Sequence, residues 1–251
     1  MKYYLFICSF LVCLMAKAND LTLPQVTHFT IAAPEISPFI YKNKRGENDG
    51  LLIDTINKLN ASGKYNISVK IMPWARALKA VENGHFDALM PTVQSVERSL
   101  FLSFPAQPLI NFYGSEIFKR IDDSFIYEGI PQIDKNNTIV KVRSTKINSD
   151  DELAFKDASI RFVEATRLED AFNMLIHRRV DLLVADSVIA KTTIEQMAIT
   201  KLVKGFSLSD KSHSSFLAFS KEYSRAHNIN ELMNEINLIN DPDSYNILSE
   251  K

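Results

Sequence analysis

Arg98 lies within the stretch PWARALKAVENGHFDALMPTVQSVERSLFLSFP (73–105), beyond a strand-like run that begins FDALM. Its guanidinium is a planar fork of N–H donors, matched to the two oxygens of a carboxylate. Thr145, in VRSTK, stands where a strand turns toward a helix. At such a turn a hydroxyl and backbone N–H groups can bind a carboxylate. Asp186 follows the apolar run VDLLVA and precedes a helical stretch, a common place for a capping aspartate. Each residue also has a plainer reading. Arg98 can be an exposed arginine paired with Glu97 or Glu116, and Asp186 can be a helix cap alone. On residue type alone, the surface reading of Arg98 is the simpler one.

Other chemistries find little support. The sequence has no HExxH, no glycine-rich phosphate loop and no GxSxG, so no metalloprotease, nucleotide-phosphate or nucleophile-elbow signature is present. Its five histidines are scattered. Asp54, Asp186 and Glu164 are candidate acids, with nothing to single one out. The opening MKYYLFICSFLVCLMAKAND has an early lysine, an apolar run from Tyr3 to Ala16 and small residues at AKA. This layout predicts a secretory signal peptide over 1–18, cleaved after Ala18, with a run too short to span a membrane comfortably. Both cysteines, Cys8 and Cys13, fall inside it. The mature chain would therefore hold no disulfide, thiol nucleophile or cysteine metal site. Loss of Lys2 and Lys17 leaves 27 basic and 30 acidic residues, a balance that argues against general nucleic-acid binding.

The elements that must position these residues alternate. HFTIAA (28–33), ISVKI (67–71) and FDALM (86–90) read as strands, GLLIDTINKLN (50–60) and PWARALKAVEN (73–83) as helices. In the first helix Leu52, Ile56 and Leu59 share a face; in the second, Trp74, Leu78 and Val81 do. A second series follows. TIVKV (138–142), SIRFV (159–163) and VDLLVA (180–185) read as strands. RSTKINSDDELAF, RLEDAFNMLIH (167–177) and DSVIAKTTIEQ (186–196) lead into or form helices. Two βαβαβ series predict an α/β protein of two lobes, with mostly parallel sheets flanked by helices. The connector LINFYGSEIFKR (109–120) is apolar and strand-like, a stiff crossover rather than a flexible linker. Ligands in such folds sit at the carboxyl ends of the strands, here facing each other across a cleft.

Several blocks, in order, resemble the periplasmic solute-binding proteins of family 3, the amino-acid type with the type II fold. APEISPFIYKNKRGENDGLLIDTINKL resembles the family's opening, and ALKAVENGHFDALMPTVQSVERSLFLSFP its arginine-bearing block. IHRRVDLLVADSVIA resembles its second-lobe aspartate block, and SYNILSEK its ending. The resemblance implies a periplasmic-binding-protein-like fold with one lobe over 19–112 plus about 215–251 and the other over 113–214. Hinges are expected near 111–115 and about 205–220. It implies that Arg98 holds a ligand carboxylate and that Asp186 receives its ammonium. Thr92 and Thr145 stand at polar positions of the same cleft. Ser144 replaces a glycine common before that threonine, which puts the turn's geometry in question.

Departures from the family pattern bear on the ligand. Ala33, Ile36, Met90, Pro91 and Val93 stand where basic-ligand binders carry acidic, aromatic or hydroxyl residues, and Phe39, Tyr41 and Trp74 add aromatic surface or ordinary packing. A neutral or aromatic amino acid, or another small carboxylate, fits better than a basic one. The implied protein is a periplasmic, monomeric, non-enzymatic binder without metal or cofactor. It closes on its solute and docks on the permease of an ABC transporter. A sensor in a signalling system is a rival reading, and a dehydratase-like enzyme on the same fold is a weaker one.

Overall fold

A computed structural model describes residues 26–239, except 125, 146 and 148. The predicted signal peptide, both cysteines and the SYNILSEK ending lie outside them.

The first series builds one end of the molecule. Strand β1 (Thr27–Ala33) pairs in parallel with β4 (Tyr65–Ile71) and β5 (Ala88–Val93). A short antiparallel pair, β2 (Tyr41–Lys42) and β3 (Asn48–Asp49), precedes the first helix. That helix, α1 (Leu51–Ala61), buries Leu52, Ile53, Ile56 and Leu59 on the expected face. Gly50 leads into it with φ 117°, and a Cβ there would lie 2.5 Å from the Phe39 carbonyl oxygen. Only glycine satisfies both the backbone angle and that approach. Helix α2 (Trp74–Glu82) buries Trp74, Ala77 and Val81, and Leu78 packs at the edge of the same cluster. A single turn, α3 (Val96–Ser99), is capped by Ser95 and carries Arg98. Short strand β6 (Leu102–Ser103) follows.

Strand β7 (Ile110–Arg120) crosses to the other end, where the pattern repeats. Strand β8 (Ile139–Val142) pairs in parallel with β9 (Phe162–Ala165) and β10 (Leu182–Asp186). Helices α4 (Ser149–Asp157), α5 (Leu168–Ile176) and α6 (Ser187–Gln196) pack around them. The chain then returns in β11 (Val203–Ser220), an 18-residue strand, and ends its described part in α7 (Lys221–Ala226) and α8 (Ile229–Ile239).

The strands join in the order β4-β1-β5-β11-β7-β10-β8-β9, with β6 on the side of β11. Two parallel triplets are thus joined by an antiparallel ribbon, β7 with β11. Apolar packing follows the same division. One set of buried clusters draws on residues 29–112 and 217–236, the other on 117–203. The fold is two-lobed, with β7 and β11 as the connections between lobes.

Most predicted elements stand within a few residues of their expected bounds; three strands start two or three residues late, one of them the strand expected over 180–185, which begins at Leu182. The strand expected over 159–163 begins instead at Phe162, because Ser159 takes a left-handed backbone (φ 57°) that ends the preceding helix. The strand expected over 86–90 begins at Ala88, since the Asp87 carboxylate accepts from the Thr30 backbone N–H and hydroxyl. Arg120, at the end of β7, is buried and donates to the carbonyls of Leu175 and Val180, pinning the ribbon to the end of α5.

Candidate functional site between the lobes

The carboxyl ends of both parallel triplets face a cavity of about 650 Å3. Thr92 and Arg98 line it from the first lobe; Thr145 and Asp186 line it from the second. Ser115 and His213 line it from the connecting ribbon.

Arg98 is 3% exposed, so it is no surface arginine. Its Nη1 donates to the Thr92 hydroxyl (3.2 Å) and the Val93 carbonyl (2.8 Å). Its Nη2 reaches across the cleft to the Ser144 carbonyl at 3.0 Å. The guanidinium lies 5.1 Å from the Trp74 ring centre, a cation–π distance. Burial lowers its pKa, and the charge of Glu97 partly opposes this. A buried guanidinium held by neutral acceptors suits an incoming anion.

Asp186 ends β10 and caps α6. Its Oδ1 accepts from the Val188 and Ile189 N–H groups at 3.0 and 3.1 Å. Its Oδ2 is buried with no hydrogen-bond partner among the described residues. Burial raises the pKa to about 7 and the nearby Glu116 adds to the rise, although the two capping bonds oppose it. The cap and the ligand readings therefore concern different oxygens of one carboxylate. Ser115 stands directly opposite Asp186 in the β7–β10 register. Its Oγ is likewise buried and unpartnered. Directly opposed residues share a sheet face with Cβ atoms about 5 Å apart. Each side chain thus keeps one buried oxygen without a partner, which costs free energy until one arrives.

Residues 30–154 match the model of the bacterial extracellular solute-binding proteins, family 3. Over that stretch, just under half of its length, the chain is similar to that family. Its fold is found again in an ancestral arginine-binding protein bound to arginine (TM-score 0.73, 18% identity, covering 89% of this chain and 96% of that one). It is found in a histidine kinase sensor domain with similarity to periplasmic binding proteins (0.74, 15%, 89% and 95%). A third example is the substrate-binding protein of an amino acid ABC transporter (0.70, 18%, 88% and 96%). No curated protein matches its sequence.

The other expected site residues fall into two groups. Trp74 and Tyr41 line the cavity. Trp74 donates through Nε1 to the Ser144 carbonyl at 2.8 Å. Tyr41 is bonded to Asp49, and its phenol pKa is raised first by burial and then by that carboxylate. Ser144 has φ 61°, the left-handed backbone that a glycine would take more easily. Thr145 spends its donors locally: both its hydroxyl (2.6 Å) and its N–H (3.2 Å) go to the Val142 carbonyl. Phe39 is placed elsewhere. It is 1% exposed in the first-lobe core, edge-on to Phe112 at 5.2 Å, and does not line the cavity. Its ring packs into the first-lobe cluster with Ile40, Leu52 and Phe112 instead.

Several lining residues escaped the sequence reading. His213 stacks on Phe112 at 5.6 Å, and burial lowers its pKa. Arg167 pairs with Glu35 across the cleft at 3.0 Å and with Glu169 on its own lobe at 3.3 Å. The Gln196 side chain donates to the Ser37 hydroxyl at 2.7 Å, again between lobes. None of these lies in a motif. A mouth contact between residues 132 or 159 positions apart has no local signal.

Proposed function

We propose that the protein binds, outside the cytoplasm, a small solute bearing one carboxylate and one ammonium, an apolar or aromatic amino acid being the favoured class. One observation supports this most: Arg98 and the unpartnered Oδ2 of Asp186 belong to the lining of one cavity but to opposite lobes. A solute that spans them stabilises lobe closure in proportion to its differential contacts. The lobes, divided within 110–120 and 203–220, turn about the β7–β11 ribbon. Ile36, Ile71, Met72, Val93 and Ile189 give the cavity apolar walls. Its other lining carboxylates, Glu35 and Glu169, are already paired with Arg167. A second cation on the solute would have to compete with Arg167 for either of them.

The loaded protein would act as a monomer that docks on an ABC-transporter permease. The likeness to a histidine kinase sensor domain favours a second reading, in which the loaded cleft signals. The deciding experiment is a thermal-shift screen of residues 19–251 with amino acids and small carboxylates, repeated on Arg98→Lys and Asp186→Asn. A solute at 100 times its Kd raises stability by about 2.7 kcal/mol. A hit lost in both variants supports the two-ended clamp. A hit unchanged in both moves the site elsewhere. Reconstitution with a candidate permease then separates transport from signalling.

A further inference from the structure

Two N–H donors from different elements of the first lobe converge on one oxygen. Trp74 Nε1, at the start of α2, lies 2.8 Å from the Ser144 carbonyl oxygen; Arg98 Nη2, on α3, lies 3.0 Å from the same atom. We propose that Trp74 is a hydrogen-bond donor to the solute's carboxylate, sharing with Arg98 a single acceptor position that the Ser144 carbonyl contests. This rests on the reading of the cleft as a carboxylate-binding site and adds to it a specificity residue and an internal competitor.

Three features of the site carry the inference. First, the position is built for more than a peptide oxygen. A charged and a neutral donor aimed at one point suit an anionic oxygen, which makes shorter and stronger bonds to such donors than an amide does. Second, all three hydrogen-bond acceptors around the Arg98 Nη atoms are neutral: Thr92 Oγ1, Val93 O and Ser144 O. A buried cation in that company gains from exchanging a dipole for a charge. Thr92 and Val93 are neighbours on its own lobe. Ser144 O is the acceptor that comes from the opposite lobe, and so the one that can yield when the lobes adjust. Third, Ser144 reaches the position through a left-handed backbone, φ 61°, which a residue with a Cβ adopts at a cost. The contact is therefore displaceable, and a carboxylate that displaces it inherits both donors.

The consequence is discrimination. A carboxylate repays the loss of the Ser144 contact, whereas the matching primary amide offers only another neutral oxygen. Trp74 also rests its ring against Arg98, so an indole that merely packs and an indole that donates must be told apart. Phe in its place keeps a ring and removes the N–H.

The chain has one tryptophan, so 15N-labelled protein gives one indole N–H resonance to follow. The probes are sodium acetate against sodium chloride at equal ionic strength, then L-leucine, L-phenylalanine and L-leucinamide. The expected result is a resonance protected from exchange that moves saturably with acetate and with the amino acids, and much less with leucinamide. Trp74→Phe should bind the carboxylate probes about 10- to 100-fold more weakly by calorimetry and lose nothing further on leucinamide. If acetate moves the resonance and no amino acid does, the shared position stands and the amino-acid reading falls. If an amino acid stabilises the protein but leaves the resonance still, and Trp74→Phe binds it as tightly, the reading stands and this inference falls. If no probe moves the resonance or the melting temperature, both fall.

Discussion

At the scale of single residues, Asp186 makes the sharpest prediction. Its carboxyl titrates near pH 7 in the folded chain and near the ordinary carboxylate value when unfolded. The folded chain therefore holds this proton more tightly than the unfolded one. The group's contribution to stability is fully present below about pH 4, declines as pH climbs from about 4 to about 7, and is lost above that. Asp186→Asn, which can still cap α6, should flatten the pH dependence of the melting temperature between about pH 4 and 7. It should also be at least as stable as the parent at pH 8. An ammonium beside Oδ2 favours the ionised form, so solute affinity should fall on acidification below pH 7. The fall is about tenfold per unit well below that value, and calorimetry at several pH values would read it. Arg98→Lys keeps the charge and loses the fork; it should weaken a carboxylate solute at least tenfold and lower stability by about 1–2 kcal/mol, measured by denaturant melts. The place of Arg98 on the cavity was legible only from its sequence block, since by residue type alone it reads as a surface arginine. Ser115 and His213 were not, because a serine and a histidine acquire meaning only from the strands they face. Phe39 misled, since an aromatic beside a proline-rich loop reads equally well as wall or as core.

At the scale of elements, the alternation of apolar runs was enough to place helices and parallel strands, because a buried strand and a one-sided helix each have a period. The ribbon was harder. β11 contains SLSDKSHSS, too polar to read as a strand, and it is ordered by pairing with β7 rather than by its own pattern. Its bulges near Ser207 and Ser209 mark where that register slips. Gly205 lies in a tight part of the ribbon. A Cβ there would stand 2.8 Å from the buried Phe118 ring and 2.2 Å from Glu116 Oε2. The carboxylate can swing aside but the ring cannot. Gly205→Ala should therefore cost about 1–3 kcal/mol, lowering the melting temperature by roughly 3–10 °C. An unchanged melting temperature would show that the ribbon yields more easily than its packing suggests.

At the scale of the whole molecule, direct bonds that join the lobes among the described residues include Glu35 with Arg167, Ser37 with Gln196, and Ser144 with Trp74 and Arg98. The first is half-exposed, so its weight is small and screened by salt. Glu35→Gln should change solute affinity by less than about fivefold, and high salt should erase that difference; a larger, salt-resistant effect would make Glu35 a binding residue. The two-lobed plan was legible from the repeated βαβαβ order. The mouth contacts were not, because they join residues with no sequence relation. One feature of the sheet reaches beyond binding. The strand at its centre, β11, is the last of the described strands to be made, and both β5 and β7 wait for it. A chain growing from its N-terminus cannot complete the first lobe until about residue 220 has been synthesised. Until then it carries two open strand edges, the surfaces on which partly made chains pair with one another. Products truncated near residue 200 should aggregate rather than fold as one sound lobe, so the order of manufacture makes assembly close to all-or-none.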